Sequence, residues 1–453
     1  MLGKIVRELF GSSNESPPAV APAPAGLVLP SRAETHASQY GGKTVISFST
    51  ASRSDGLNAG VNATALMFRS HGYRFENIDL RQDGWQEKIF DLLRKPEEIF
   101  CAIGLMGMLD SMQVNGPHGS SNLWNEAGVP FLSYFGDHPA YFFSRHQFRS
   151  QGHVSMYCFD EHIEAARDWL DPQPTIAKIP LAPWDAVGKE EVDFSAKSSG
   201  KVFFFKNGNS PAALRDFWRT LPVPISRWLT ELSHDIDLLK LGRSGKALHV
   251  QVREYLEDQG VYLDARPWVE LFLAAQLDDY ARRLKSTLIA EALLDLPVHV
   301  VGDFWGHVDF TGRRAVHLPG RSYFDTRQLI SESLCVMDMS PNVQSAPHDR
   351  FLAAIGRYTL CLSNAQKCYE DHHARAGEMM FEFDPQSIHE RVAGVLARPA
   401  QAIELGVEIA EQARARLTGE AALKKLVECA NLARFAISPA QFPGQQDFVA
   451  WPR

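Results

Sequence analysis

Short apolar, β-branched runs alternate with segments of helical period along most of this chain, and they do so in two separate series. This rhythm constrains the fold more than any other feature, because strands that alternate with helices form a parallel sheet with helices on both faces. The first series begins at Lys43. TVISFST leads through the small-residue loop ASRSDGLNAG into the amphipathic VNATALMFRSHG, followed by RFENIDL, EIFCAIGLMGM, VPFLSYFGDHP, HVSMYCF and TIAKIPLAP. It closes near Asp193. The second opens with KVFFFKNGNSP at Lys201 and continues through VHVVGDFW, AVHLPG, LCVMDMS and YTLCLSN. Between its first two strands lie about eighty residues of helical period, from Leu214 to Leu296, far more than an ordinary crossover needs. The expected fold is α/β, with two Rossmann-like domains facing across a cleft and a long helical insertion in the second. The expected divisions are a disordered tail and linker over 1–40, a first domain over 41–195, a second over 196–385 with its insertion at 212–296, and C-terminal helices and tail over 386–453.

Composition narrows the functional classes. A length of 453 residues suits two domains, and a net charge of -8 with a pI near 6.1 argues against nucleic-acid binding, which needs a basic surface. No apolar run is long enough to span a bilayer, and MLGKIVRELFGSSNESPP lacks the apolar core and cleavage site of a signal peptide. The six cysteines are scattered without a CxxC pair, so a cytoplasmic protein without structural disulfides or a zinc site is expected. Leu2, Ile5, Val6, Leu9 and Phe10 follow helical spacing beside Lys4 and Arg7. Residues 1–10 therefore read either as a docking helix for a membrane surface or partner, or as a frayed start. SSNESPPAVAPAPAG reads as a flexible linker.

The stretch MDMSPNVQSAPHDRFLAAIGRYTLCLSN, Met337 to Asn364, joins an apolar strand, a Ser-Pro-Asn turn, a helix opened by His-Asp-Arg and a second strand ending in Ser-Asn. Tandem halves of this kind bind ligands at the carboxyl ends of their strands, in glycosyltransferases, sugar 2-epimerases and periplasmic binding proteins alike. The stretch resembles the C-terminal half of GT-B glycosyltransferases, closest to the CgeB-like (spore-maturation-type) group. VPFLSYFGDHP, KVFFFKNGN and RRLKSTLIAEALLDLPVHVVGDFWG are similar to further passages of that group, in order, over roughly residues 100 to 420. The resemblance implies a metal-independent hexosyltransferase-type enzyme. It would move a sugar from a nucleotide sugar of UDP or GDP type to a protein, glycan or envelope-precursor acceptor, with no other cofactor. Two features depart from the pattern. Ala353 stands where many retaining relatives carry a second glutamate, and Tyr358 and Thr359 replace a Gly-small step. A 2-epimerase of the same fold, or a degenerate protein that binds without turnover, therefore stay open.

A departing diphosphate gains negative charge, so cations or backbone N–H donors are needed beside it. Arg350 is the leading candidate, since the helix dipole does not favour a cation at a helix start; pairing with Asp349 or Asp338 is the structural alternative. His348 suits a phosphate, a sugar hydroxyl or a capping role, and Ser340 and Asn342 offer turn donors. Lys206, Asn207, Gly208 and Asn209 give a cation and a loop that approaches a ligand closely. The loop Ser54 to Gly60, with Asn58, faces the same cleft but does not match G-x-G-x-x-G, which leaves NAD without support. An inverting transfer needs a base. Asp137 is favoured, His138 is the alternative, and His118 is a further cleft-side candidate. Backbone groups near Leu318 are placed to pair with a uracil-like edge, Tyr323 to stack on it, and Glu370 to accept from ribose hydroxyls. The Asp235–Asp237 DxD reads as part of an amphipathic helix and the His372–His373 pair as surface. Trp218, Trp228, Leu232 and Trp268 are expected to pack on apolar helix faces.

Overall fold

The computed structural model describes residues 42–50, 56–116, 119–147, 150–169, 175–241, 246–262, 267–370 and 373–437. The tail and linker expected over 1–40 and the docking segment 1–10 lie outside them, as do His118, His372 and Ser54.

The first sheet holds β1 (Thr44–Ser49), β2 (Arg74–Asp79), β3 (Ile99–Leu105), β6 (Phe131–Phe135), β7 (His153–Tyr157) and β8 (Thr175–Lys178). They run parallel in the order β2-β1-β3-β6-β7-β8. A hairpin the sequence reading missed, β4 (Gln113–Gly116) and β5 (Gly119–Asn122), is inserted after β3. The second sheet holds β9 (Val202–Phe205), β10 (Val298–Val301), β11 (Val316–Leu318), β12 (Cys335–Met337), β13 (Leu360–Asn364) and a short β14 (Met380–Phe381). Its order, β11-β10-β9-β12-β13-β14, is the doubly wound arrangement with the reversal between β9 and β12. The near-continuous burial of β1, β3, β9, β12 and β13 is what a parallel sheet covered on both faces requires. The fold class is as expected: two parallel α/β domains and a long helical insertion in the second.

The helices that matter here are α1 (Gly56–Ser70), α2 (Asp160–Trp169), α3 (Pro211–Trp218), α4 (Val223–Asp235), α5 (Leu248–Asp258), α6 (Pro267–Ala292), α7 (Tyr323–Glu332), α8 (Asp349–Ile355), α9 (Pro385–Ala397), α10 (Pro399–Arg414) and α11 (Gly419–Ile437). Helix α1 begins earlier than the expected loop allowed. The insertion, α3 to α6, builds its own apolar core from Leu214, Trp218, Leu229, Leu232, Val252, Leu273 and Leu277, and closes it over Ala165 and Trp169 of α2 in the first domain. Trp218 and Leu232 are buried as expected, whereas Trp268 is half exposed because it lies on the outer face of α6. The C-terminal helices divide between the domains: α10 covers β13, while α11 returns to the first domain, where Arg434 Nη2 donates to the carbonyls of Ile99 and Phe100 at 2.9 and 2.6 Å.

All six cysteines are free and buried. Asp235 closes α4, but Asp237 lies beyond the helix and pairs with Lys240 at 2.9 Å. His373 is not a surface residue. It is 4% exposed against Phe351, with Nδ1 3.4 Å from Gln412 Oε1. Among the described residues no helix is long and apolar enough to cross a membrane.

Candidate functional site

The reversal between β9 and β12 puts the residues that follow these two strands side by side, because Phe204 and Met337 are register partners. Lys206 follows β9 and Asp338 follows β12, at the point where open α/β sheets hold ligands. Asp338 is fully buried. Its Oδ1 accepts from His348 Nδ1 at 2.8 Å and Arg350 Nη1 at 3.1 Å, and His348 Nδ1 also lies 2.9 Å from Asp349. Burial works against the imidazolium of His348, but Asp338 and Asp349 outweigh it and raise its pKa to about 9. Burial likewise opposes the Asp338 carboxylate, and His348 and Arg350 hold its pKa below the ordinary value. Ligand atoms of Asp338, His348 and Asp349 lie within 4.8 Å of one another, the spacing of a metal site. A protonated imidazole beside a guanidinium is a poor ligand set, however, and the group fits an ion-paired brace better. Arg350 is thus braced by Asp338, as the structural alternative held, and its other guanidinium nitrogens make no further hydrogen bond among the described residues.

The Lys206 ammonium forms no hydrogen bond or ion pair among the described residues. Burial depresses its pKa first, then the neighbouring charges of Arg350 and Arg282, to about 8. Arg282 is a residue the sequence reading missed. It projects from α6 across to the first domain, with Nη1 3.1 Å from Asp137 Oδ1, Nε 2.8 Å from Asp278 Oδ2 and its guanidinium over the Tyr141 ring. Its buried Nη2 has no hydrogen-bond partner among the described residues. Asp278, 2% exposed, also accepts from Tyr141 Oη at 2.9 Å and Asn342 Nδ2 at 2.8 Å. The available signal was the pattern D-D-Y-A-R-R within α6, two acid–arginine pairs spaced i,i+4 on a helix otherwise rich in apolar residues.

The turn after β12 is built as a structural unit. Ser340 is 3% exposed, its N–H donates to Asn364 Oδ1 and its hydroxyl to the Val343 carbonyl. Asn342 holds a left-handed φ of 59° and accepts from Lys285 Nζ at 2.6 Å. Both side chains are committed within the protein. Lys285 is buried and pushed down to about 7.

On the Lys206 loop, Asn207 Oδ1 accepts from the Asp303 N–H, and Trp305 Nε1 donates to the Lys206 carbonyl. A Cβ on Gly208 would lie 2.0 Å from the Trp305 ring, so only glycine permits this approach. Asn209 is exposed beside it.

The remaining candidates lie elsewhere or are otherwise engaged. Asp137 is partly exposed and held by Arg282. His138 is buried. Its Nδ1 accepts from Ala140 N–H at 3.3 Å, and burial lowers its pKa to about 4. The Leu318 carbonyl accepts from Gly302 N–H, and Tyr323 Oη donates to Asp185 Oδ2 while Arg327 covers its ring. Glu370 is exposed at the end of a short turn of helix, without an ion pair among the described residues. The fold therefore joins Asp137 and Asn342 through Arg282 and Asp278, and His348 and Arg350 through Asp338, with Lys206 near enough to Arg350 and Arg282 for their charges to act on it. Leu318 ends β11, the edge strand of the second sheet, while Tyr323 is tied through Asp185 to Arg357 just beyond α8.

Residues 282–428 match the family model described as Glycosyl transferase-like. The matched segment starts at Arg282 and includes the turn and helix that carry Asp338, His348 and Arg350. No curated protein sequence matches the chain. Among solved structures, sucrose-phosphate synthase from Thermosynechococcus elongatus is 9% identical over 86% of this chain and 98% of its own, with a TM-score of 0.46. HepE from Anabaena, in complex with UDP and glucose, is 8% identical over 86% and 99%, with a TM-score of 0.44. An alpha-glucosyltransferase in complex with UDP and a 13-mer DNA is 10% identical over 86% and 99%, with a TM-score of 0.45. These are distant likenesses, and the fold is defined here by its own strand order.

Proposed function

We propose that this protein is a glycosyltransferase that binds the diphosphate of a nucleotide sugar at the β9–β12 reversal and transfers the sugar to an acceptor on the first domain. The observation that carries this reading is the Lys206 ammonium beside the strand reversal, near enough to both Arg350 and Arg282 for their charges to lower its pKa. Four carboxylates, Asp137, Asp278, Asp338 and Asp349, hold the arginines and His348 in place, while the Lys206 ammonium stays uncommitted. Crowded cations are costly until an anion joins them. In a leaving diphosphate the developing charge would fall on these groups, and no metal or further cofactor is invoked. Asp137 serves as the base for an inverting reaction once substrate draws Arg282 toward the phosphates. His138 is less suited, because its Nδ1 lone pair is used by Ala140 and its pKa is far below neutrality. The nucleotide is of UDP or GDP type, and the acceptor a protein, a glycan or an envelope precursor.

The test is a calorimetric titration with UDP, GDP and their sugars, comparing the wild type with Arg350→Ala. An arginine–phosphate contact contributes roughly 1.5–3 kcal/mol, so the variant should bind about ten- to a hundred-fold more weakly. A folded protein that binds none of these nucleotides would overturn the reading. Release of free nucleotide that depends on added acceptor separates a transferase from a 2-epimerase.

A further inference from the structure

The segment that leads from the β12 turn to His348 and Arg350 is held from both domains. On its own side, the side chains of Val343 and Ala346 are buried in the main core. The Val343 carbonyl accepts from Ser340 Oγ at 3.0 Å, and the Gln344 carbonyl from Cys368 N–H at 3.1 Å. The groups between them meet the first domain. Glu161 of α2 accepts from the Gln344 N–H at 2.7 Å through Oε1 and from the Ser345 hydroxyl at 2.5 Å through Oε2. The Ser345 oxygen in turn accepts from the Asp160 N–H at 2.8 Å. We propose that Glu161, acting with Ser345, is a positioning residue for the donor site. From the first domain it fixes the segment 344–348, and through it His348 and Arg350, so that nucleotide affinity depends on contact between the domains. The inference rests on the glycosyl-transfer reading and adds to it a control exerted by the first domain.

The clasp is built from the end of a helix. A helix leaves its first N–H groups without partners, and the residue just before it commonly supplies one from its side chain. Phe159 stands there in α2. Its carbonyl accepts from the Ile163 N–H at 3.2 Å, but a phenyl ring has no acceptor to offer. The Asp160 N–H is met instead by Ser345, 185 residues further along the chain and in the other domain. The reciprocal bonding of serine and glutamate that ordinarily caps one helix is thus divided between two domains. The helix dipole favours a carboxylate in the first turn, where Glu161 lies. The Gln344 N–H has no other acceptor among the described residues, so the bond from Glu161 is the one that satisfies it.

A shift at Ser345 has little slack to disappear into. Ala346 is buried, and Pro347 fixes its own φ and restricts the residue before it. His348 follows at once, held by Asp338 and Asp349, and Arg350 shares Asp338 with it. At the other end of the clasp, Glu161 projects from a helix that is itself fixed. Ala165 and Trp169 of α2 pack into the core of the insertion, and Trp169 Nε1 donates to Glu270 at 2.7 Å. Both ends of the contact are therefore rigid, which is what allows one carboxylate to set the position of a segment in the facing domain.

The experiment titrates UDP and GDP into the full chain by calorimetry, for the wild type, Glu161→Ala and Glu161→Gln. Hydrogen exchange is measured on the same proteins without nucleotide. Glu161→Ala should raise exchange over residues 344–350 and weaken the nucleotide that the wild type binds roughly tenfold. Glu161→Gln keeps an oxygen for the Gln344 N–H and should stay within about threefold of the wild type. Unchanged affinity in Glu161→Ala, or an equal loss in both variants, would overturn the proposal. A wild type that binds neither nucleotide would overturn the donor-site reading. Exchange then decides the clasp by itself: a rise over residues 344–350 in Glu161→Ala supports it, and no rise overturns it. Should Glu161→Ala fail to fold, Ser345→Ala takes its place; a loss of about threefold or more supports the proposal, and unchanged affinity overturns it.

Discussion

At the scale of single residues, Lys206 and Arg282 show how charge is distributed around the reversal. Removing Lys206 breaks no bond in the free protein, so Lys206→Ala should leave stability nearly unchanged while weakening nucleoside diphosphate binding about ten- to a hundred-fold. Parallel thermal melts and titrations would check both halves. The pH dependence follows from its pKa of about 8. A bound anion raises that pKa, so affinity should be flat well below pH 8. Above it, affinity should fall by about tenfold per pH unit until the pKa of the complex is reached. Titrations between pH 6.5 and 10 should show this decline in the wild type and lose it in Lys206→Ala. Gly208 makes a steric prediction. Its substitution by alanine would drive a Cβ into the Trp305 ring, which is 2% exposed and has little room to move. A loss of about 1–3 kcal/mol is expected, with a change in tryptophan fluorescence. Lys206 and Arg350 were legible in the sequence because a cation after a strand, or at a helix start, is locally unusual. Arg282 was not, because an arginine four residues after an aspartate reads as an ordinary helix pair until the first domain is placed beside it.

At the scale of elements, the β12–α8 turn and helix α6 act as a brace. The imidazolium of His348 has a folded pKa near 9 against about 6.5 for an ordinary histidine. Its stabilising contribution is therefore fully present below pH 6.5 and is lost as the pH rises through 9. Thermal melts over that range should show a decline in the wild type that His348→Asn reduces. Asp278 carries more of the structure. Its removal would leave the Arg282 charge, the Tyr141 hydroxyl and the Asn342 amide without their shared acceptor. Loss of one member of a buried charge network costs about 3–5 kcal/mol, so Asp278→Ala should lower the melting temperature clearly. Asn342 shows the limit of reading turns from sequence. Ser-Pro-Asn is common turn chemistry, but the left-handed backbone and the pairing with α6 depend on a helix that starts some seventy residues earlier.

At the scale of the whole molecule, the insertion is more than an addition to the second domain. It shares a core with α2, and Glu270 anchors both Trp169 and Arg253. Glu270→Ala should raise hydrogen exchange in α2 and α6 together, whereas exchange in α10, which packs on β13, should stay unchanged. Increased exchange confined to α6 would mean that the insertion does not couple the domains. The return of α11 to the first domain adds a second crossing of the chain, fixed by Arg434 on the carbonyls of β3.

The sequence by itself determined the two parallel sheets, the length of the insertion and the importance of the turn between Met337 and Arg350. Strand period, burial of β-branched runs and turn residues are properties of neighbouring positions, and they survive without knowledge of the rest of the chain. Tertiary structure decided what those residues do. It committed Ser340, Asn342, His138 and Tyr323 to partners inside the protein, left the Lys206 ammonium uncommitted, brought Arg282 into the site and set Glu161 against Gln344 and Ser345. Charge pairing and desolvation act through space over a few ångströms, and residues 137, 206, 278, 338 and 350 come within that range only when the two domains and the insertion are packed.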